Sequence, residues 1–429
     1  MLGSAAQNVI ALSDSVFLYH LSEKDFAAIG FVGVFYLVIA AIGYGFSRGG
    51  QIMIARRVGE GRPDEVGRTF YAMVYYEFAL ALVMFFFMQY GCYYFFQLFI
   101  DSPIIFSKSL EYLEYRSWGV FFSYTGVAIV ALYTGIARTH FIIVDTTILA
   151  VVNIALNYGL VFGHWGLPAM GIAGAGLAST VSEVVAFIVF IIYILFDQKA
   201  RFYHLFKLPK IDFKLIRQQY ILSAPIVVQA FVGLGSWFVF FGIVENLGER
   251  PLAITNLVRM VYLVLSIPCW GFASGVNTLV SNFIGQKKRQ AVLPIIWKTA
   301  KISFVTTMIL TIPVVLFPQE FLYPLLGGSE NTGLIEDARP IFYVLVGILA
   351  TFSVGGVFFN GMAGTGATYM GLKIQLYCAI GYLIYIYVEV NYTNGGLPWA
   401  WASEIFYWLV MLTFIIWYLR SKQWYTLRV

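Results

Sequence analysis

The chain has 429 residues, of which 60% are hydrophobic and only 11% are charged. Soluble domains are about 45–50% apolar and about 25% charged, so this composition excludes an ordinary soluble globular fold. The net charge of +5 is small and is accounted for by charged loops, so it does not indicate a nucleic-acid-binding surface.

Long apolar stretches recur along the chain, each of the length that an α-helix needs to cross the hydrocarbon core of a membrane. They predict an all-α integral membrane protein of about twelve transmembrane helices. The chain begins inside the first stretch without a basic leader, so we expect no cleaved signal peptide. The predicted spans are residues 2–21, 26–55, 69–98, 112–137, 141–163, 171–196, 220–247, 251–284, 292–317, 339–363, 369–391 and 398–419.

Lysine and arginine predict the orientation, because loops that stay in the cytoplasm retain positive charge. Most of the 27 such residues fall in the loops after even-numbered spans and in the C-terminal tail. We therefore predict a bacterial inner-membrane protein with both termini in the cytoplasm. The opposite loops are predicted to hold Lys24, Lys108, Arg116, Arg250 and Arg339.

An internal duplication divides the chain into two halves of six spans. Because six is even, both halves enter the membrane in the same direction, as in parallel transporter repeats. We predict two pseudo-symmetric bundles, at residues 1–197 and 220–429, with a cytoplasmic linker at 198–219 and a cleft between the bundles. An inert duplication in a scaffold or enzyme is the alternative. The matches at a constant offset of 226 residues include Gly45 with Gly271, Phe46 with Phe272, Gly49 with Gly275, Gly59 with Gly285 and Gly135 with Gly361.

Asp14 lies within the first span, where a charged side chain costs about 2.5–3.5 kcal/mol to insert. Such a carboxylate is a candidate for binding H⁺ or Na⁺, and the alternative is that it only fixes helix packing through hydrogen bonds. Asn153 and Asn157 lie one turn apart on span five, so both amides project from one face. They are the predicted partners of Asp14. The alternative is that the two asparagines only form hydrogen bonds that hold helices together.

Further polar residues in the spans carry weaker signals. Glu183 follows Ser182 in span six, and this pair recurs at Ser403 and Glu404, which indicates a shared structural position. We keep Glu183 as another candidate for ion coupling. Glu77 and Asp145 also lie in spans, and no role is assigned to them. No metal site is predicted apart from Na⁺ at Asp14, because the cysteines do not have the spacing of metal ligands.

Aromatic residues make up 18% of the chain, more than the aromatic belts at the two membrane interfaces require. Aromatic side chains in the middle of a span can bind lipophilic cations by stacking and cation–π contact, although most of them pack in the core or face lipid. The predicted substrate-cleft residues are Tyr36, Phe121, Phe122, Tyr124, Trp237 and Phe240, with Arg259 and Asn277.

Several motifs together resemble the MATE family, the multidrug and toxic compound extrusion transporters, over nearly the whole chain. They are S-D-S-V-F-L-Y-H-L at 13–21, R-R-V-G-E-G at 56–61, N-I-A-L-N at 153–157, G-I-A-G-A-G-L-A-S-T at 171–180, and the segment 271–286. The resemblance implies two six-helix bundles around a V-shaped cleft and the export of organic cations in exchange for H⁺ or Na⁺.

The resemblance also assigns individual residues. Asp14 stands at the family's acidic position in helix one, and Asn153 stands at the amide of its helix-five motif. Asn157 departs from that motif, which usually has aspartate there, so one carboxylate of the N-terminal cation site is missing. The acidic residue that one branch carries in helix seven is also absent, which disfavours coupling through the C-terminal half.

The predicted function is therefore a cation-coupled antiporter that exports organic cations by alternating access. We expect a monomer surrounded by lipid, with no cofactor besides the coupling ion, no nucleic-acid partner and no catalytic residues. A lipid-linked saccharide flippase is one alternative, but it would need a strongly cationic cleft, and only Arg259 and Arg48 are available. A membrane enzyme or assembly protein is the other, disfavoured because no catalytic constellation is found.

Overall fold

The computed structural model describes residues 2–321, 332–393 and 395–427, and these residues form helices and turns without any β-strand. A π-helical turn at Phe87–Gly91 joins the helices Pro63–Phe86 and Cys92–Gln97 into one continuous pass. The α-helices are α1 (Leu2–Leu21), α2 (Glu23–Gly59), α3 (Pro63–Phe86), α4 (Cys92–Gln97), α5 (Pro103–Arg116), α6 (Gly119–Gly135), α7 (His140–Phe162), α8 (Gly171–Phe196), α9 (Gln198–Phe202), α10 (Phe213–Glu245), α11 (Glu249–Leu265), α12 (Ile267–Gly285), α13 (Val292–Leu316), α14 (Thr332–Gly364), α15 (Thr368–Tyr392) and α16 (Gly396–Arg420).

The number of membrane passes agrees with the sequence prediction. Within the described ranges, 9 helical segments are long and apolar enough to cross a membrane as single spans. Two more passes are bent: α5 and α6 meet at 55°, and α11 and α12 meet at 44°. Together with the 20-residue α1, they account for the predicted twelve passes and confirm the all-α membrane fold.

The bent pass formed by α5 and α6 differs most from the prediction. The predicted span begins at residue 112, and Arg116 is assigned to a loop. In the structure α5 begins at Pro103, capped by the Ser102 hydroxyl, and the chain bends between Arg116 and Gly119. The loop assignment of Arg116 is wrong, because its side chain is fully buried. Hydropathy missed this part of the pass because α5 carries Lys108 and two glutamates on its other faces.

By internal contacts the chain divides into two compact units, Met1–Val227 and Val228–Val429, with the division inside α10. The polar segment 198–219 holds the short α9 and the first residues of α10. Its assignment as an interdomain linker stays a prediction, as do the bundle boundaries. Residue 1 and residues 322–331, 394 and 428–429 of the predicted bundles lie outside the described residues.

A glycine in α8 allows that helix to pack closely on α5. A Cβ atom at Gly176 would lie 2.5 Å from the carbonyl oxygen of Tyr112, which is backbone and cannot rotate away. By contrast, a Cβ atom at Gly30, on the exposed face of α2, would have no heavy atom within 4 Å. Small residues permit this kind of close contact between membrane helices.

We expect Gly176→Ala to lower the free energy of unfolding by about 1–3 kcal/mol, the usual cost of overpacking a core. Gly30→Ala is the matched control, and it should be neutral or slightly stabilising because alanine is the better helix former. Denaturant unfolding of both variants in the same detergent measures the difference. Equal stability of the two variants would show that α5 and α8 have room for a methyl group.

Candidate functional site

The carboxylate of Asp14 lies at the centre of a buried polar network in the N-terminal unit. Asp14 is 0% exposed, and its Oδ2 atom accepts hydrogen bonds from the Tyr112 hydroxyl at 2.9 Å and the Ser179 hydroxyl at 2.8 Å. Its Oδ1 atom accepts from Nδ2 of Asn157 at 2.8 Å, and Nδ2 of Asn153 lies at 3.4 Å. Every contact is made by a donor, so the network suits an ionised carboxylate held away from water.

Helical periodicity explains how these partners converge. Residues four positions apart lie on the same face of a helix. Asn153 and Asn157 form such a pair on α7, and they are joined by a hydrogen bond of 3.2 Å. Two further pairs share this spacing, Tyr112 with Arg116 on α5 and Ser179 with Glu183 on α8. Each of the latter helices therefore supplies one hydroxyl donor to Asp14 and one charged side chain a turn away.

Those two charged side chains form a buried ion pair beside the Asp14 network. The Arg116 guanidinium contacts the Glu183 carboxylate through two hydrogen bonds, of 2.6 Å and 2.7 Å, and both side chains are almost completely buried. The guanidinium carbon also lies 3.7 Å from the centre of the Tyr36 ring. Bidentate hydrogen bonding strengthens an arginine–carboxylate pair, and the ring adds a cation–π attraction to the guanidinium. Glu183 is thus held by a cation, while Asp14 is held by neutral donors.

The predicted cleft residues of the N-terminal unit lie in different surroundings. Tyr36 is buried beneath Arg116. Tyr124 is 1% exposed, and its hydroxyl donates to the backbone oxygen of Ile39 at 2.6 Å, which ties α6 to α2. Phe121 is half-buried against Phe85, with ring centres 5.2 Å apart. Their contact with substrate stays a prediction, since none of these contacts indicates a ligand.

The predicted cleft residues of the C-terminal unit do not form one cluster. Trp237 packs on Phe240, Phe241, Tyr262 and Trp401 in an aromatic core. Arg259 is exposed, with its guanidinium carbon 5.2 Å from the centre of the Phe241 ring. Asn277 is buried on α12, and its side-chain oxygen has no hydrogen-bond partner among the described residues. Their predicted role is likewise untested by these positions.

Comparison with known proteins identifies the family. The sequence profile of the MatE family matches residues 1–159 and 225–388, most of the chain. The chain belongs to the MatE family. The resemblance found in the sequence motifs is therefore confirmed.

Full-length relatives and solved structures agree with this membership. Proteins named "Probable multidrug resistance protein NorM" match at 24% identity in Synechocystis sp., over 92% of this chain and 93% of the relative, and at 23% in Thermotoga maritima, over 93% and 85%. A solved structure titled as the outward-facing conformation of a multidrug resistance MATE family transporter has a TM-score of 0.87. It is 18% identical and covers 98% of this chain and 93% of that one. Such likeness shows the MatE fold of twelve helices in two bundles.

The sequence analysis did not predict three residues of the polar network in this MatE-family protein, namely Tyr112, Ser179 and Arg116. Tyr112 and Ser179 are neutral residues whose insertion costs much less than that of a charged side chain, so they do not stand out in an apolar span. Arg116 was assigned to a loop because the bend after α5 was not predicted. A search for polar pairs four residues apart on every helix could have found all three, because each of them belongs to such a pair.

Proposed function

We propose that the chain is an antiporter that exports organic cations and couples export to the entry of H⁺ or Na⁺ bound at Asp14. The observation that carries the proposal is a carboxylate buried inside a transmembrane helix and supplied with four donors rather than a fixed positive charge. Acidic residues within spans typically mark ion pathways and proton relays. The multidrug-resistance names of the relatives support organic cations as the substrate class.

The donors around Asp14 support reversible binding of a cation. The Tyr112 and Ser179 hydroxyls can rotate to accept a hydrogen bond from a protonated carboxyl, because a hydroxyl is both donor and acceptor. The amide oxygen of Asn157 has no partner among the described residues. Turning that amide by half a rotation would direct its oxygen at Asp14, where it could accept from the acid or coordinate Na⁺. Binding of the ion therefore reverses the direction of the hydrogen bonds that join α1 to α5, α7 and α8.

This reversal is the proposed link between the ion and the conformation. The ionised site holds the four helices together through donors that point at Asp14, and the neutralised site removes that attraction. A ligand shifts a conformational equilibrium only by its differential affinity for the two states. Exchange of one H⁺ or Na⁺ for one monovalent organic cation moves no net charge, so the concentration gradient of the ion supplies the energy, about 1.4 kcal/mol for each tenfold difference.

Transport in proteoliposomes tests the proposal. Purified protein is reconstituted, and fluxes of tetraphenylphosphonium and ethidium are followed under separately imposed pH and Na⁺ gradients. We expect one of the two gradients to drive accumulation of at least one cation against its own gradient, and protein-free liposomes to show none. Passive equilibration under both gradients, for every cation of a broad panel, would contradict the proposal.

A further inference from the structure

A further buried carboxylate lies in the N-terminal unit on α7, the helix that also carries the asparagines that bind Asp14. Asp145 is 5% exposed, and its Oδ1 atom has no hydrogen-bond partner among the described residues. It precedes Asn153 by two helical turns on α7, which places it about 12 Å along the helix at ~1.5 Å per residue. By the predicted orientation, this is the cytoplasmic side of Asp14.

Asp145 lines a partly open cavity between α2, α6, α7 and α8. The cavity volume is about 40 Å³, and one water molecule needs only ~10–15 Å³ by the same measure, so several waters fit. Most of its wall is apolar, but five polar side chains also face it, so water molecules inside would have hydrogen-bond partners. Its polar lining residues are Tyr44, Ser123, Asp145, Thr146 and Glu183.

Glu183 connects this cavity to the Asp14 network. Its carboxylate lines the cavity and is bound to Arg116, which lies one turn beyond the Asp14 donor Tyr112 on α5. Glu183 itself lies one turn beyond the Asp14 donor Ser179 on α8. Tyr44 lines the same cavity as Glu183 and Asp145. Polar side chains on α2, α5 and α8 therefore lie between Asp14 and Asp145 within one unit.

The charges around Asp145 leave its carboxylate uncompensated. From α8 it faces Glu183, whose charge is neutralised by Arg116. From α6 it faces the neutral Ser123, and from α2 the neutral Tyr44, with Arg48 one turn further along α2. Among the described residues, no lysine, arginine or histidine lies within ion-pair distance of Asp145. A buried carboxylate in this position favours a proton or a small cation from the cavity.

We propose that Asp145 is a second station for the coupling cation, which passes between Asp14 and the Asp145 cavity inside the N-terminal unit. The inference rests on the proposed function. For a proton, Asp14 returns to a carboxylate as Asp145 becomes a carboxylic acid, and the Arg116–Glu183 pair stays neutral overall. For Na⁺, the ion leaves the oxygens of the first site and binds those of the cavity.

Two variants in the full-length protein test the transport role. Asp145→Asn removes the station, and Gly126→Leu fills the cavity, since Gly126 lines it and a Cβ there would have open space. We expect each to slow gradient-driven flux of tetraphenylphosphonium by about a hundredfold, the scale of losing a positioned proton-transfer group. Binding of tetraphenylphosphonium should stay within about twofold of the starting protein.

The matched controls are Asp64→Asn, at an aspartate that is 72% exposed, and Gly30→Leu, at an exposed glycine of α2. Both should transport at the starting rate. Gradient-driven transport by Asp145→Asn at the starting rate, under both pH and Na⁺ gradients, would overturn the proposal. Loss of binding together with transport would also overturn it, because a station on the ion path should not be needed to hold the substrate.

Infrared difference spectra of the detergent-solubilised protein decide the question independently of transport. A pH step in the absence of Na⁺ should give a carboxyl signal that is lost in Asp145→Asn and kept in Asp64→Asn. The same signal produced at constant pH by NaCl, but not by choline chloride, would assign the station to Na⁺. Spectra of Asp145→Asn identical to those of the starting protein under both steps would overturn the inference, whether or not the protein transports.

Discussion

Asp14→Asn should abolish export driven by an ion gradient while leaving the fold intact. The amide has the same shape as the carboxylate, but it can neither take up a proton nor carry the charge that attracts Na⁺. Since the proposed coupling requires that charge, we expect gradient-driven flux to fall by at least about a hundredfold, the scale of removing an essential proton carrier. Flux of tetraphenylphosphonium into proteoliposomes, with the gradient as the only energy source, measures the loss.

The control for this variant is Asp101→Asn, which changes an exposed aspartate before α5 in the same chemical way. Substrate binding to Asp14→Asn should persist, because the substituted side chain is enclosed by α1, α5, α7 and α8 and does not face solvent. Undiminished coupled flux in Asp14→Asn would mean that the carboxylate only fixes helix packing, which is the alternative that the sequence left open.

Arg116→Met should be the most destabilising of the single substitutions discussed. It leaves the Glu183 carboxylate buried and without its cation, and removing one partner of a buried pair typically costs 3–5 kcal/mol, so we expect a loss of about that size. Glu183→Leu should cost a similar amount for the same reason. In the double variant both charges are gone, and most of the stability should return, because apolar side chains of similar volume pack where the pair was.

Denaturant unfolding in detergent, followed by tryptophan fluorescence, gives the free energies for this double-mutant cycle. The exposed pair of Arg250 with Asp337, at 56% and 52% side-chain exposure, is the control. Breaking it with Arg250→Met should cost less than about 1 kcal/mol, as for other surface pairs. Additive losses for Arg116→Met and Glu183→Leu would contradict the account of a coupled buried pair.

The residues of the site that could be predicted from the sequence are those whose cost in a membrane span, or whose spacing along a helix, sets them apart. A carboxylate in an apolar span is costly, and two asparagines four residues apart share a face, so Asp14, Asn153 and Asn157 could be selected from the amino-acid sequence alone. The fold brings these three side chains into contact. The number of passes could also be predicted, since each apolar stretch has the length of a membrane span.

The burial of Arg116 and the cavity beside Asp145 could not be predicted, because both depend on how separate helices pack against each other. The bend between α5 and α6 places Arg116 in the core, and hydropathy reports only the average over a segment. The cavity beside Asp145 arises from the way four helices leave space, which no single helix encodes. The sequence shows Asp145 only as an acid within span five, and its position relative to Glu183 depends on how α7 packs on α8.

The two halves of the duplication do not repeat this chemistry. At the offset of 226 residues, Asp14 corresponds to Phe240 and Arg116 corresponds to Phe342, and both phenylalanines are 1% exposed. The C-terminal unit keeps the buried Glu404, for which no ion pair is found among the described residues. Among the described residues, the network around Asp14 is therefore not repeated at the offset of the duplication.

The central claim is that Asp14 gives up its cation when the substrate binds. The most direct measurement is the release of H⁺ or Na⁺ on addition of tetraphenylphosphonium to the detergent-solubilised protein, followed with a pH indicator or a Na⁺ electrode. Linkage requires that two ligands with opposing effects on one site displace each other. We predict cation release by the starting protein and none by Asp14→Asn at saturating substrate. Equal release by both proteins would contradict the claim.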